Sequence, residues 1–237
     1  MFRFLRILIG FFLIPLCVSL TWSTLEVIRR LLMTSDGFSP DLLWFLVGLG
    51  VWMILWCFFR RPFRLYVFGH EMTHALFGLL FLARVRNLRV TTRGGSVTLS
   101  KDNIIITLAP YFFPFYTVLV LLIHWIVGLF LEPVPCPAVW TFLVGFTWAF
   151  HLCFTIQSLA ISQPDCKEYG YILSYTLIFL VNVASIGFFL VCVTDIPLGF
   201  YWNKLYCLTQ YVYYMIYRYG LWIADRCRET ASGWQGQ

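Results

Sequence analysis

The chain predicts an all-α polytopic membrane protein with about six transmembrane helices, and three observations carry that prediction. First, its 237 residues are 60% hydrophobic and only 12% charged, where a soluble domain carries about 25% charged residues. Second, apolar runs near the ~20 residues needed to cross a bilayer recur at 4–24, 42–59, 65–83, 104–131, 138–161 and 169–194. Third, aromatics reach 20%, as lipid-facing packing and interfacial belts require. Each run should be helical, because open strands cannot satisfy their backbone groups in lipid.

The run at 4–24 follows Arg3 and Arg6, as in a signal peptide. It is long and lacks a clean small-x-small cleavage site, so it reads as a retained first span. The run at 104–131 is broken by Pro110 and Pro114. Beyond the sixth run the character changes. Residues 198–224 are crowded with Tyr and Trp and interrupted by Lys204 and Arg218, which predicts an interfacial aromatic helix. The end, from about Arg228 to Gln237, is polar and expected to fray. Without repeats or low-complexity segments, the chain reads as one domain over 1–237. Two N-terminal spans cover 1–64, a core covers 65–195 and the interfacial tail covers 196–237.

The net charge of +6 sits mostly in loops beside the spans. It points to membrane topology and anionic lipid rather than nucleic acid. The loop at 84–103 holds Arg84, Arg86, Arg89, Arg93 and Lys101, which favours the cytoplasmic side. Arg60, Arg61 and Arg64 would then face the opposite side. In the same loop Thr and Val alternate around Gly94-Gly95, predicting a β-hairpin that turns at the glycine pair. The eight cysteines are scattered without a CxxC pair, so neither a disulfide framework nor a cysteine metal site is indicated.

The chemistry concentrates at His70-Glu71-Met72-Thr73-His74. On a helix, His70 and His74 lie one turn apart on one face and can grip one Zn2+ ion. Glu71 lies beside them, placed to take a proton from water as general base. A charged residue central in a span costs roughly 2.5–3.5 kcal/mol on insertion scales, so a carboxylate here implies a use. Catalytic zinc takes three protein ligands and keeps one position open. Candidates for the third are Asp165, in Gln163-Pro164-Asp165, with Glu168 near it, and the remaining histidines His151 and His124. His151 stands in a polar stretch with Thr155, Gln157 and Ser158. It could be a ligand or a donor to the reacting carbonyl, or it could bond a neighbouring helix. Asn182 has the same two options, donor or bridge between helices.

With Phe68-Gly69-His70-Glu71-Met72-Thr73-His74-Ala75 on an apolar helix, the chain resembles the site-2 protease family of intramembrane zinc metalloproteases. In that family a short hairpin with a glycine pair follows the motif helix, and a later helix supplies an Asp. Gly94-Gly95 and Gln163-Pro164-Asp165 stand at those places. The resemblance implies His70, His74 and Asp165 as metal ligands and Glu71 as general base. It implies a membrane-embedded protein substrate and a substrate-binding hairpin at Gly94 and Gly95. The chain departs from the family in lacking a Leu-Asp-Gly sequence and a PDZ insertion, and Thr73 replaces the usual small residue. The likeness covers roughly 65–185. Substrate choice would then rest on an adaptor or partner membrane protein, or on the tail.

Three other classes compete. A catalytically inactive zinc-binding or scaffolding subunit of a larger complex would explain the missing Leu-Asp-Gly. A membrane cytochrome would use His74 and His151 as axial ligands but leave Glu71 unexplained. A transporter with a buried proton-carrying Glu would leave both motif histidines idle.

Overall fold

The computed structural model describes residues 2–33, 39–91, 94–131, 133–161, 163–194 and 196–234, with side chains over the same ranges except at 2 and 230–234. The described chain is mostly helical, with one small hairpin. In order it runs α1 (Phe2–Met33), α2 (Pro40–Phe58), α3 (Phe63–Leu80), β1 (Val85–Thr91), β2 (Gly94–Leu99), α4 (Ile104–Phe112), α5 (Phe115–Phe130), α6 (Pro137–Leu159), α7 (Pro164–Tyr169), α8 (Tyr171–Cys192) and α9 (Leu198–Trp234).

Among the described residues, α1, α2, α6 and α8 are long and apolar enough to cross a membrane. The bent pair α4 and α5 makes a fifth if it counts as one span. The expectation of six spans is therefore corrected to four or five. The missing one is α3, where Arg64, His70, Glu71, Thr73 and His74 stand among 18 residues and dilute its hydropathy. The α4–α5 break bends the chain by 78°. Pro114 causes it, because a residue before proline is pushed out of the α region. Phe113 accordingly takes an extended φ of −99° and ψ of 109°.

Two helix pairs form the frame. In the α2–α6 pair, Gly48 lies against the Phe142 carbonyl while Gly145 lies against the Phe45 carbonyl. A Cβ at either position would collide with the other helix's backbone, so the crossing exists because both are glycine. Phe45 and Trp148 fill in beside it. The α1–α8 pair packs Leu20 and Val27 against Val183 and Val191, joined by Ile196 and Tyr201. Ser39 ties the two pairs together, capping α2 at Leu42 N (3.2 Å) and donating to the Val193 carbonyl (2.8 Å).

The tail differs from expectation. It is one helix of 37 residues, continuous to Trp234 rather than frayed from Arg228. It runs antiparallel along α1: Tyr201 packs with Val27, Tyr211 meets Trp22 edge-on, and the Tyr213 hydroxyl donates to the Phe12 carbonyl at 2.7 Å.

The hairpin is antiparallel, with Thr91 opposite Gly94 and Val90 opposite Gly95. The glycine pair therefore opens β2 rather than forming the turn. The two-residue connection falls at 92–93, outside the described residues, and Arg93 of the basic loop lies there too. Phe63, the start of β2, Pro164 and Glu168 rim one cleft. The start of α3 thus borders the same cleft as the hairpin, and Arg6 reaches that cleft's wall, donating to the Glu168 carbonyl at 3.0 Å.

Candidate metal centre

The i, i+4 spacing on α3 turns both motif histidines one way, their rings edge-on with centroids 4.9 Å apart. What they turn towards comes from α7. Pro164 opens that short helix, and Asp165 occupies its first turn, where an acid suits the helix end. Cys166, fully buried with Leu108, Tyr111 and Ile178, pins the segment, and its carbonyl accepts a hydrogen bond from Ser174 at 3.1 Å. Asp165 Oδ2 then lies 3.7 Å from His70 Nε2 and 3.9 Å from His74 Nε2. One ligand atom from each of the three residues falls within 4.8 Å of the others.

These spacings suit a shared ion better than a direct contact. At 3.7 and 3.9 Å the histidine nitrogens are too far from the carboxylate to hydrogen-bond it. Zinc legs of about 2.0–2.1 Å in tetrahedral geometry put ligand atoms about 3.3 Å apart, a closure of roughly half an ångström for the two histidine–carboxylate pairs. Two imidazoles and one carboxylate are also the donor set of a catalytic site that keeps one position open.

The groups behind the three residues orient them as metal ligands are oriented. His74 Nδ1 lies 3.0 Å from the Ile106 carbonyl on α4. A carbonyl only accepts, so Nδ1 carries the proton and Nε2 offers its lone pair. His70 Nδ1 lies 3.4 Å from the Tyr66 hydroxyl, which also bonds Ser158 Oγ on α6. Tyr66 is stacked on Phe154 at 4.6 Å, so it is itself held. Tyr111, 1% exposed, donates to Asp165 Oδ2 at 2.8 Å. Burial alone would raise the Asp165 carboxyl. The Tyr111 hydroxyl and the two histidines outweigh it and hold the group below its ordinary range.

Glu71, 7% exposed, lines the same open cleft of about 550 Å³. Asp102 and Glu168 join Glu71 and Asp165 on its walls, with no Lys or Arg among the described lining residues. Thr107 steadies Asp102, donating to its Oδ1 at 2.7 Å.

Of the other predicted site residues, His151, His124 and Asn182 lie elsewhere. His151 is absent from the cleft and lines a small cavity behind α3, with His70, Thr73 and Tyr116. Asn182 bridges helices, donating to the Tyr111 carbonyl at 2.9 Å and to Ile178 at 2.8 Å. His124 packs edge-on against Trp140. Gly94 and Gly95 do line the cleft, while Arg84, Arg86 and Arg89 do not. Tyr66 and Tyr111 are the residues that sequence reasoning missed. Tyr66 carried a signal, standing four before His70 on the same face; Tyr111 carried none.

Compared with protein-family models, with curated proteins and with solved structures, the chain gives no match in any of the three.

Proposed function

We propose that the cleft is the active site of a zinc-dependent endopeptidase acting on a membrane-embedded protein, of the site-2 protease type. The observation that carries the reading is the gathering of His70, His74 and Asp165 within 4.8 Å, with Glu71 on the same cleft. Zinc bound by those three residues would supply Lewis acidity, polarising a carbonyl and making water a nucleophile near neutral pH.

The chain's own residues do the rest. Glu71 takes the proton of the attacking water and returns it to the leaving amine. Tyr66 and the Ile106 carbonyl fix the histidine rings, and Tyr111 fixes the Asp165 carboxylate. The β2 edge offers backbone groups to an unwound substrate, which would bind as an added strand. Arg6 donates to the carbonyl of Glu168 on the cleft wall, and Arg60, Arg61 and Arg64 flank Phe63, which also lines it. By the positive-inside rule the cleft and the 84–103 segment face the cytoplasm. A partner membrane protein would select the substrate.

The test is metal content and cleavage, measured together on purified protein. Glu71→Gln should keep the metal and abolish proteolysis, and His74→Ala should lose both. Metal-dependent cleavage surviving in either variant would sink the mechanism. A wild type that binds zinc, cleaves nothing and matches Glu71→Gln in cells would favour an inactive scaffold subunit.

A further inference from the structure

The two glycines of the hairpin do different things. Gly94 has a φ of +150° and nothing within 4 Å of where a Cβ would be. Gly95 is the reverse. Its φ lies outside the left-handed region, so an L side chain could adopt its backbone. A Cβ there, however, would stand 2.5 Å from Glu71 Cγ, 2.8 Å from Glu71 Oε1 and 2.7 Å from Val67 Cγ1.

The strand period explains the contact. Gly95, Val97 and Leu99 share one face of β2. At the far end of that face Leu99 presses on Gly78, whose own Cβ would meet Leu99 at 2.9 Å. The hairpin thus seats on α3 through two bare Cα atoms in opposite senses. Gly78 makes room for a hairpin side chain, and Gly95 makes room for Glu71. β1 and β2 pack chiefly on α3, so this seat is what holds the hairpin.

We infer that Gly95 is a positioning residue, whose bare Cα sets where the Glu71 carboxylate stands in the cleft and couples that carboxylate to the seating of the hairpin. The coupling is steric and independent of any metal. Its consequence for catalysis rests on the function proposed above. A displacement of Glu71 by about 1 Å lowers turnover on the order of a hundredfold, without removing a metal ligand.

The experiment is a double-mutant cycle on the full chain in detergent with chelator present, read as Tm, with cleavage as a second arm. Gly95→Ala should lower Tm in the Glu71 background. The drop should shrink with Glu71→Ala and vanish when Val67→Ala is added, since those side chains are what the new methyl strikes. Equal drops in all backgrounds overturn the inference. In the cleavage arm, Gly95→Ala should lower kcat with metal stoichiometry unchanged, and Val67→Ala in the same chain should recover part of it. Unchanged kcat in Gly95→Ala also overturns the inference. If Gly95→Ala does not fold alone, the Val67→Ala/Gly95→Ala chain supplies the measurement. If the wild type cleaves nothing, the proposed function fails, while the Tm cycle still decides Gly95.

Discussion

Four hydroxyls of α1 and four polar side chains around α3 are satisfied in different ways. On α1, Ser19, Thr21, Ser23 and Thr24 each donate back to the carbonyl four residues earlier in their own helix, at 2.8–3.0 Å. They bury hydroxyls without asking anything of a neighbour. Around α3 the bonds cross between elements: Tyr66 to Ser158 on α6, His74 to Ile106 on α4, Tyr111 to Asp165 on α7, Asn182 to Tyr111. A hydroxyl bonded to its own helix adds local stability and no geometry. A bond that crosses fixes one element against another. Where such bonds converge, the fold is holding side chains in place rather than only filling space.

The contrast can be broken at four points, in order of expected effect. On the proposed zinc site, Asp165→Ala should release the metal altogether, and His151→Ala should leave metal content unchanged; the reverse result in metal analysis would move the proposed site to α6. Tyr111→Phe deletes a bond to Asp165, the third residue of that proposed site, and should weaken metal affinity about 10- to 100-fold in competition with a chelator. Asn182→Leu also removes a crossing bond, but one that joins helices away from the cleft. It should lower stability by about 0.6 kcal/mol in a denaturation series, with affinity weakened less than in Tyr111→Phe because Asn182 acts on Asp165 only through Tyr111. Ser23→Ala, on the α1 side, should leave metal affinity unchanged; a measurable loss of metal there would erase the distinction.

Gly145→Val tests the frame itself. It forces α6 off the Phe45 carbonyl and should lower Tm markedly, whereas Gly50→Ala, with nothing within 4 Å of its Cβ, should be tolerated.

Acid should act on Asp165 late. Its carboxyl is held below the ordinary range, so the stability it adds is complete above the unfolded pKa of about 3.9 and is lost only as pH falls through the lower folded value. Unfolding followed from pH 6 to 2 should therefore show the Asp165→Asn chain converging with the native one only near the acid end.

The motif was legible because its spacing is local. Four residues make one helical turn, whatever surrounds it, so His70 and His74 share a face and Tyr66 shares it too. The apolar runs were legible for the same reason, and four of them are the helices long and apolar enough to cross a membrane. The pattern misled where one stretch served two ends. Residues 65–83 are apolar enough to suggest a span, yet the site's own polar residues keep α3 below the hydropathy of one. Gly94-Gly95 suggested a turn, but Gly95 sits where β2 needs a bare Cα against Glu71.

By itself, then, the sequence determined the membrane class, four long apolar helices and the pair of histidines with their neighbouring acid, because composition and helical periodicity act at short range. Only the tertiary structure decided that Asp165 rather than His151 meets those histidines, that Tyr66 and Tyr111 stand behind the centre, and that the hairpin closes on Glu71. Those choices depend on which residues distant in the chain are packed together. Proline breaks, glycine crossings and the anchoring of Cys166 settle that packing, and no spacing along the chain records it.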